Sequence, residues 1–250
     1  MKNVITITTD FHDEFAVAQL HAVAHSLKFE GKLIENHSVT PFAIHEGAFQ
    51  IETLAQFTPK GSVHLGVVDP GVGGIRRGII IKNHKSWFVG PDNGLLYPAA
   101  KKAGVSEVWQ ITEKSIDSKT SNTFHGRDIF IKAAIYLSQG IHPEKFGSVK
   151  ISPSKIKKLK LKKGQILHTD VYGNVKIHWK GKITPPGNLK FLINAKTEIF
   201  PVVKTFSDVQ PGSQLAYEGS NGTLELAVNL GNLAHKFGLK TGDVIKSITK

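Results

Sequence analysis

The chain contains no cysteine among its 250 residues. That absence excludes disulfides, thiolate nucleophiles and sulfur-ligated metals, so any attacking group must be water, a hydroxyl, a carboxylate or an amine. Long apolar runs are also missing, and no membrane-spanning helix is expected. The first residues, Met1-Lys2-Asn3-Val4-Ile5-Thr6-Ile7-Thr8, alternate as a strand does and lack the apolar stretch and small-residue cleavage site of a secretory signal. A cytoplasmic protein is the expectation. Internal repeats and low-complexity tracts are absent as well. Acidic residues are scarce, 20 against 32 Lys and Arg, which leaves a net charge of +12. Such a surface can recruit phosphates through counterion release. The densest run, residues 155–163, carries no interleaved aromatics and no nucleic-acid motif, so it reads as a solvated connector and no specific nucleic-acid partner is expected.

What is present is an apolar fraction of 40%, enough to bury a core in one large or two modest domains. Strand-like runs at 4–8, 32–35, 62–68, 78–82, 87–89 and 108–111 alternate with helical patterns at 14–28, 44–56, 95–103 and 128–139. This predicts an α/β domain over 1–150 with a mostly parallel sheet, in which ligands sit beyond the carboxyl ends of strands. After a basic linker at 151–163, strand patterns at 165–169, 175–179, 190–192, 198–203, 214–218, 223–228 and 243–248 predict a smaller all-β, barrel-like domain over 164–250.

Two loops carry unusual chemistry. Val67-Val68-Asp69-Pro70-Gly71-Val72-Gly73-Gly74-Ile75-Arg76-Arg77 closes an apolar strand with a carboxylate and three glycines that let backbone approach a ligand. A dinucleotide fingerprint fails here, because Arg76 stands where the third glycine of G-x-G-x-x-G belongs. Ser121-Asn122-Thr123-Phe124-His125-Gly126-Arg127-Asp128 sets a histidine beside a residue without a side chain. Read alone, Asp69 and Asp10 are also candidates for turn or helix caps, and Tyr172-Gly173-Asn174 for a hairpin turn. The cluster Asp10-Phe11-His12-Asp13-Glu14 would suit a divalent metal, but no second cluster has ligand spacing.

Together with Thr9-Asp10-Phe11, Gly90-Pro91-Asp92-Asn93-Gly94 and Asp170-Val171-Tyr172-Gly173-Asn174, these loops resemble, in the same order, the S-adenosylmethionine hydroxide adenosyltransferases. The resemblance runs from about Ile5 to the C-terminus. It implies hydrolysis of S-adenosylmethionine to adenosine and methionine by activated water at the ribose 5′ carbon, with no cofactor and no metal, because a sulfonium leaves as a neutral thioether. It further implies that Asp69, Arg76 and His125 act on the water. In the expected arrangement Asp69 fixes the His125 imidazole and Arg76 holds Asp69 while favouring hydroxide.

Asp10 is then expected on the ribose hydroxyls and Phe124 among the substrate contacts. Asp170 is matched to the substrate ammonium, Tyr172 to stacking on adenine, Asn174 to the adenine edge and Ser220 to the methionine end. His37 matches a family motif imperfectly and reads as structural. Two departures stand out: His12-Asp13-Glu14 follows Phe11 directly, and Val175-Lys176-Ile177-His178 replaces the usual Thr-Asn. Halide-using relatives are expected to lack the trio and to carry an additional loop, for which this chain has no room after Gly94. A protein that binds S-adenosylmethionine without turning it over is the remaining alternative. The resemblance also implies a homotrimer with intersubunit sites.

Overall fold

A computed structural model describes residues 3–248, and the chain divides into two compact units, Met1–Leu159 and Lys160–Lys250. Among the described residues no helix is long and apolar enough to cross a membrane.

Unit one begins as alternating strand and helix: β1 (Val4–Thr9), α1 (Glu14–Ser26), β2 (Lys32–Asn36), α2 (Ile44–Phe57) and β3 (Val63–Val67). The alternation then stops. β4 (Gly78–Asn83) and β5 (Trp87–Pro91) follow, then α3 (Tyr97–Lys102), β6 (Val105–Gln110), α4 (Glu113–Ile116), a π turn over Gly126–Phe130 that continues into α5 (Ile131–Ser138), and β7 (Val149–Ile151).

The seven strands form one sheet in the order β2-β1-β3-β5-β4-β6-β7. Pairing is parallel from β2 to β5 and antiparallel from β5 through β4 and β6 to β7. The sheet is therefore mixed, which corrects the expectation of a mostly parallel one. The reason is connection length: only residues 84–86 separate β4 from β5, a hairpin-sized link that cannot make the crossover a parallel pair requires.

Strand side chains alternate between faces, and the consecutive isoleucines of β4 show the result. Ile80 joins a core with Leu20, Ala24, Ala134 and Phe130, under α1 and α5. Ile79 and Ile81 point the other way, into a core with Ala48, Ile51, Leu95 and Ala99, under α2 and α3. Within the basic stretch, Ile156 is buried and Leu159 packs on this second core, while the Lys157 amide donates to Asp92 at 2.8 Å.

Unit two contains β8 (Ile166–Thr169), β9 (Val175–Ile177), β10 (Gly187–Ile193), β11 (Lys196–Val202), β12 (Gln214–Glu218), β13 (Leu224–Val228), α6 (Leu233–Phe237) and β14 (Lys246–Ser247), the last shorter than expected. The sheet order is β14-β10-β11-β12-β13-β9-β8, antiparallel except for one parallel bridge between Val202 and Ala216. It curls into a half-barrel, and backbone bonds from Ile166 N to Asp243 O (2.8 Å) and Ile245 N to Gly164 O (3.0 Å) link the start of β8 to the segment leading into β14. In β10 the strict alternation of Leu189, Phe191 and Ile193 inward supplies the core-facing side.

One buried group makes the fold pH-sensitive. His64 on β3 is fully buried, bonded through Nδ1 to Thr6 Oγ1 at 2.9 Å and stacked on Phe88, and its Nε2 has no hydrogen-bond partner among the described residues. Burial, helped by the Lys85 charge, lowers its pKa from 6.5 to about 4. The unfolded chain therefore binds a proton that the folded chain refuses between these values, and stability must fall as pH drops from 6.5 toward about 4. Chemical denaturation across that window is expected to show a loss of about 3 kcal/mol attributable to this group. The loss should be absent from the curve of His64→Asn, so that the difference between the two proteins changes as pH falls. Parallel curves for the two proteins would contradict it.

Candidate active site

Two unit-one strands deliver the site at their carboxyl ends. β1 finishes at Thr9 and is followed by Asp10; β3 finishes at Val67 and is followed by Val68 and Asp69. The loop after β3 turns tightly on glycine: Gly73 has φ +73, and a Cβ there would meet the Asn122 carbonyl oxygen at 2.2 Å. That close approach holds the loop of residues 69–77 against the loop of residues 121–128. Gly126 serves the second loop in a similar way, seated against Val67 and Phe11.

The two loops bring Asp69, Arg76 and His125 together. Arg76 Nε donates to Asp69 Oδ1 (3.0 Å) and Oδ2 (2.9 Å), and Nη2 donates to Oδ2 at 2.6 Å. The same Nη2 lies 2.7 Å from His125 Nδ1. Both charged side chains are almost fully buried, 6% exposed for Arg76 and 5% for Asp69, and the guanidinium lies over the Phe130 ring. Arg76, and not Asp69, touches the imidazole, so the expected pairing of Asp69 with His125 is corrected to a chain running Asp69, Arg76, His125.

This order fixes a tautomer. A guanidinium has only donors, so His125 Nδ1 must accept, and the neutral ring carries its proton on Nε2. The pKa of His125 is lowered, first by burial; Glu113 opposes that effect and Arg76 adds to it. The ring is neutral near pH 7.

Arg76 Nη1 is buried and without a hydrogen-bond partner among the described residues. Its nearest ionic neighbour is Glu113 Oε1 at 3.7 Å, and the same oxygen stands 3.5 Å from His125 Nδ1. Sequence reasoning passed over Glu113, which lies in an unremarked polar stretch outside both glycine-rich loops.

Of the other expected residues in unit one, Asp10 accepts the Phe42 amide on Oδ2 at 2.8 Å and is not a helix cap; Asp13 is the N-cap of α1. Phe124 packs edge-on against Phe11 and under the Arg127 guanidinium. His37 Nδ1 bonds Thr9 Oγ1 at 2.8 Å, and His12 Nε2 bonds the Val39 carbonyl. No group of three His, Asp or Glu side chains among the described residues is arranged to hold a metal ion.

In unit two, Asp170 sits at the start of the turn between β8 and β9. Its Oδ1 accepts the amides of Tyr172 and Asn174 at 3.0 Å, while Oδ2 accepts Asn174 Nδ2 and Lys176 Nζ at 3.1 Å. Burial disfavours the carboxylate, but the Asn174 amide and Lys176 outweigh burial and hold its pKa below the ordinary value. Lys176 also reaches Glu225 Oε2 at 3.4 Å, and Glu225 accepts the Tyr217 hydroxyl at 2.7 Å. Gly219, whose Cβ would collide with the Glu225 carboxylate, begins the turn that carries exposed Ser220. Lys176 and Glu225 thus tie the Asp170 turn to the Ser220 turn. Tyr172 projects into solvent, 73% exposed, and Asn174 is buried. Lys176 stands inside the departure from the family motif; Glu225 looks in sequence like any strand residue.

A buried acid, base and cation converging on an unsatisfied donor at a strand end define an enzyme site. The chain belongs to the S-adenosylmethionine hydroxide adenosyltransferase family: the model of its N-terminal domain matches residues 5–147 and that of its C-terminal domain residues 164–246. A protein of Salinispora tropica named (R)-S-adenosyl-L-methionine hydrolase is 34% identical over 97% of this chain and 96% of its own length. A fluorinase of an Actinoplanes species is 26% identical over 86% of each chain. The solved structure of an uncharacterized conserved protein from Thermotoga maritima superposes with a TM-score of 0.88 at 29% identity, covering 98% of this chain and all of the other.

The contact at Gly73 makes a stability prediction. Gly73→Ala forces a left-handed backbone on alanine and drives its Cβ into Asn122, and should cost about 1–3 kcal/mol in chemical denaturation. Gly71→Ala, whose Cβ would sit at an ordinary 3.4 Å from Arg76 Cγ, should cost less than about 1 kcal/mol. Equal losses would refute the account of how the two loops are joined.

Proposed function

We propose that the chain hydrolyses (R)-S-adenosyl-L-methionine to adenosine and L-methionine by attack of activated water on the ribose 5′ carbon. The observation that carries the reading is the buried Asp69–Arg76–His125 chain with one free guanidinium donor. Its strength lies in fitting the demand of the reaction: the leaving group is a neutral thioether and needs no acid, so the protein must only supply and hold hydroxide. Arg76 Nη1 is the donor assigned to that oxygen, in a site where burial strengthens the charge interaction. Asp69 keeps the guanidinium aimed and neutralises it. His125 orients the water.

Asp10 is assigned to the ribose hydroxyls, Phe124 to the substrate contacts, and Asp170, Tyr172, Asn174 and Ser220 to the adenine and methionine ends. Asp170 already binds Lys176, so an incoming ammonium would have to share it. No cofactor and no metal are assigned. A halogenase reading is less favoured because the fluorinase relatives are less similar than the hydrolases and because the trio is intact. The assembly proposed is a homotrimer, with unit one of one chain and unit two of its neighbour completing each site, in the cytoplasm.

Pure protein and the (R) epimer should yield adenosine and methionine in equal amounts by chromatography, with the (S) epimer largely unconsumed and no halogenated nucleoside in chloride or fluoride. Accumulation of a 5′-halo product would overturn the assignment.

His125→Ala and Asp69→Asn should lower kcat roughly 100-fold or more while substrate binding persists, because they act on the water. Near wild-type turnover in either would refute the water-activating role. Asp69→Asn and Asp170→Asn subunits refolded together should regain activity if sites are shared, and should regain none if each site lies within one chain.

A further inference from the structure

We infer that Glu113 is a positioning residue of the water-activating unit: by accepting the Nδ1 proton of His125, it lets the imidazole exchange its bond to Arg76 for one to a carboxylate and become a proton acceptor. This rests on the hydrolytic reading above.

The geometry poses the problem that Glu113 solves. While Nδ1 accepts from Arg76, the neutral ring has its proton on Nε2 and can only donate there. Protonating such a ring would also set an N–H against the Arg76 Nη2 donor 2.7 Å away. A second partner for Nδ1 removes both obstacles, and it must be an acceptor.

Four charged groups face the ring. Asp69 and Arg76 come from the loop after β3, Glu113 from α4 and Asp128 from the π turn. Asp69 is committed to Arg76 by three short contacts. Asp128 is committed to Arg127 at 2.6 Å and to the Ser121 amide at 2.8 Å. Glu113 is left: Oε1 is 3.5 Å from Nδ1 and 3.7 Å from Arg76 Nη1, just outside hydrogen-bond reach of both, on a side chain 37% exposed. Its charge already opposes the lowering of the His125 pKa by burial.

Proton exchange with solvent moves the ring proton from Nε2 to Nδ1, which then donates to Glu113. In the reaction a water O–H bond breaks and its electron pair stays on oxygen. The proton goes to Nε2, giving an imidazolium between Glu113 and the hydroxide. The oxygen bonds the ribose 5′ carbon, and the carbon–sulfur pair leaves on methionine as the thioether. Asp69 is paired with Arg76, and Glu113 faces the positive charge that the imidazolium gains as the hydroxide forms.

The test compares wild type, Glu113→Gln and Glu113→Asp in two measurements. In substrate-free protein, the 15N resonances of His125, assigned by their loss in His125→Ala, report its tautomer and titration. Glu113→Gln should lower the His125 titration midpoint by about half a pH unit or more. It should also lower the kcat plateau about tenfold with KM unchanged within about twofold, and move the acidic limb of the kcat–pH profile downward. Glu113→Asp, which keeps the charge, should fall between. An unchanged titration in folded Glu113→Gln would overturn the proposal, and so would a shifted titration with an unchanged kcat. The resonance measurement needs no turnover. If wild type fails to hydrolyse the substrate, the functional reading falls by itself, and the contact between Glu113 and His125 is still decided.

Discussion

The Arg76 guanidinium is the interaction on which the site depends. A buried positive charge is expensive unless paired and hydrogen-bonded, and here three of its bonds go to Asp69 and one to His125. That pairing dictates where both loops must run, which tautomer the histidine adopts and which donor is left over. The loops in turn need Gly73, because a side chain there would drive into the Asn122 carbonyl and push them apart, while Gly126 leaves room for close packing on Val67 and Phe11. The site is thus a consequence of satisfying one charge beyond the carboxyl end of β3.

Unit two solves a similar problem with opposite sign. Asp170 is a half-buried carboxylate and Glu225 a buried one, and Lys176 lies between them while Tyr217 donates to Glu225. Burial and Glu225 together push the Tyr217 pKa far up, so it remains a hydroxyl donor at any working pH. The Asp170 and Ser220 turns are held in place by this network and not by the strand ladder alone. Gly173, with φ +80, lies against the Asn232 side chain, which caps α6.

Much of this was legible in the sequence. Strand and helix positions up to β3 followed from alternating periodicities, and the three residues at the centre of unit one were identified from the resemblance of two glycine-containing loops to a known family, since read alone those loops also suit ordinary turns and caps. The mixed sheet was not legible from that alternation, because the strand pattern of β4 and β5 is the same whichever way they pair; only the brevity of residues 84–86 carries the direction. Nor was the order of the trio. Asp69, Arg76 and His125 are named by the family motifs they match, but which one lies in the middle depends on side-chain reach across two loops. Glu113 and Glu225 were missed because they lie outside any motif and act only through distant partners. Lys176 was seen as a departure from a pattern, without the ion pair that explains it.

The central claim is that Arg76 and His125 deliver a water-derived oxygen to the ribose 5′ carbon. Turnover of (R)-S-adenosyl-L-methionine in water enriched in 18O, followed by mass spectrometry, tests it most directly. The account predicts adenosine heavier by one 18O atom, located on the 5′ oxygen, together with unlabelled methionine. Adenosine without label, or label in methionine and not in adenosine, would contradict it.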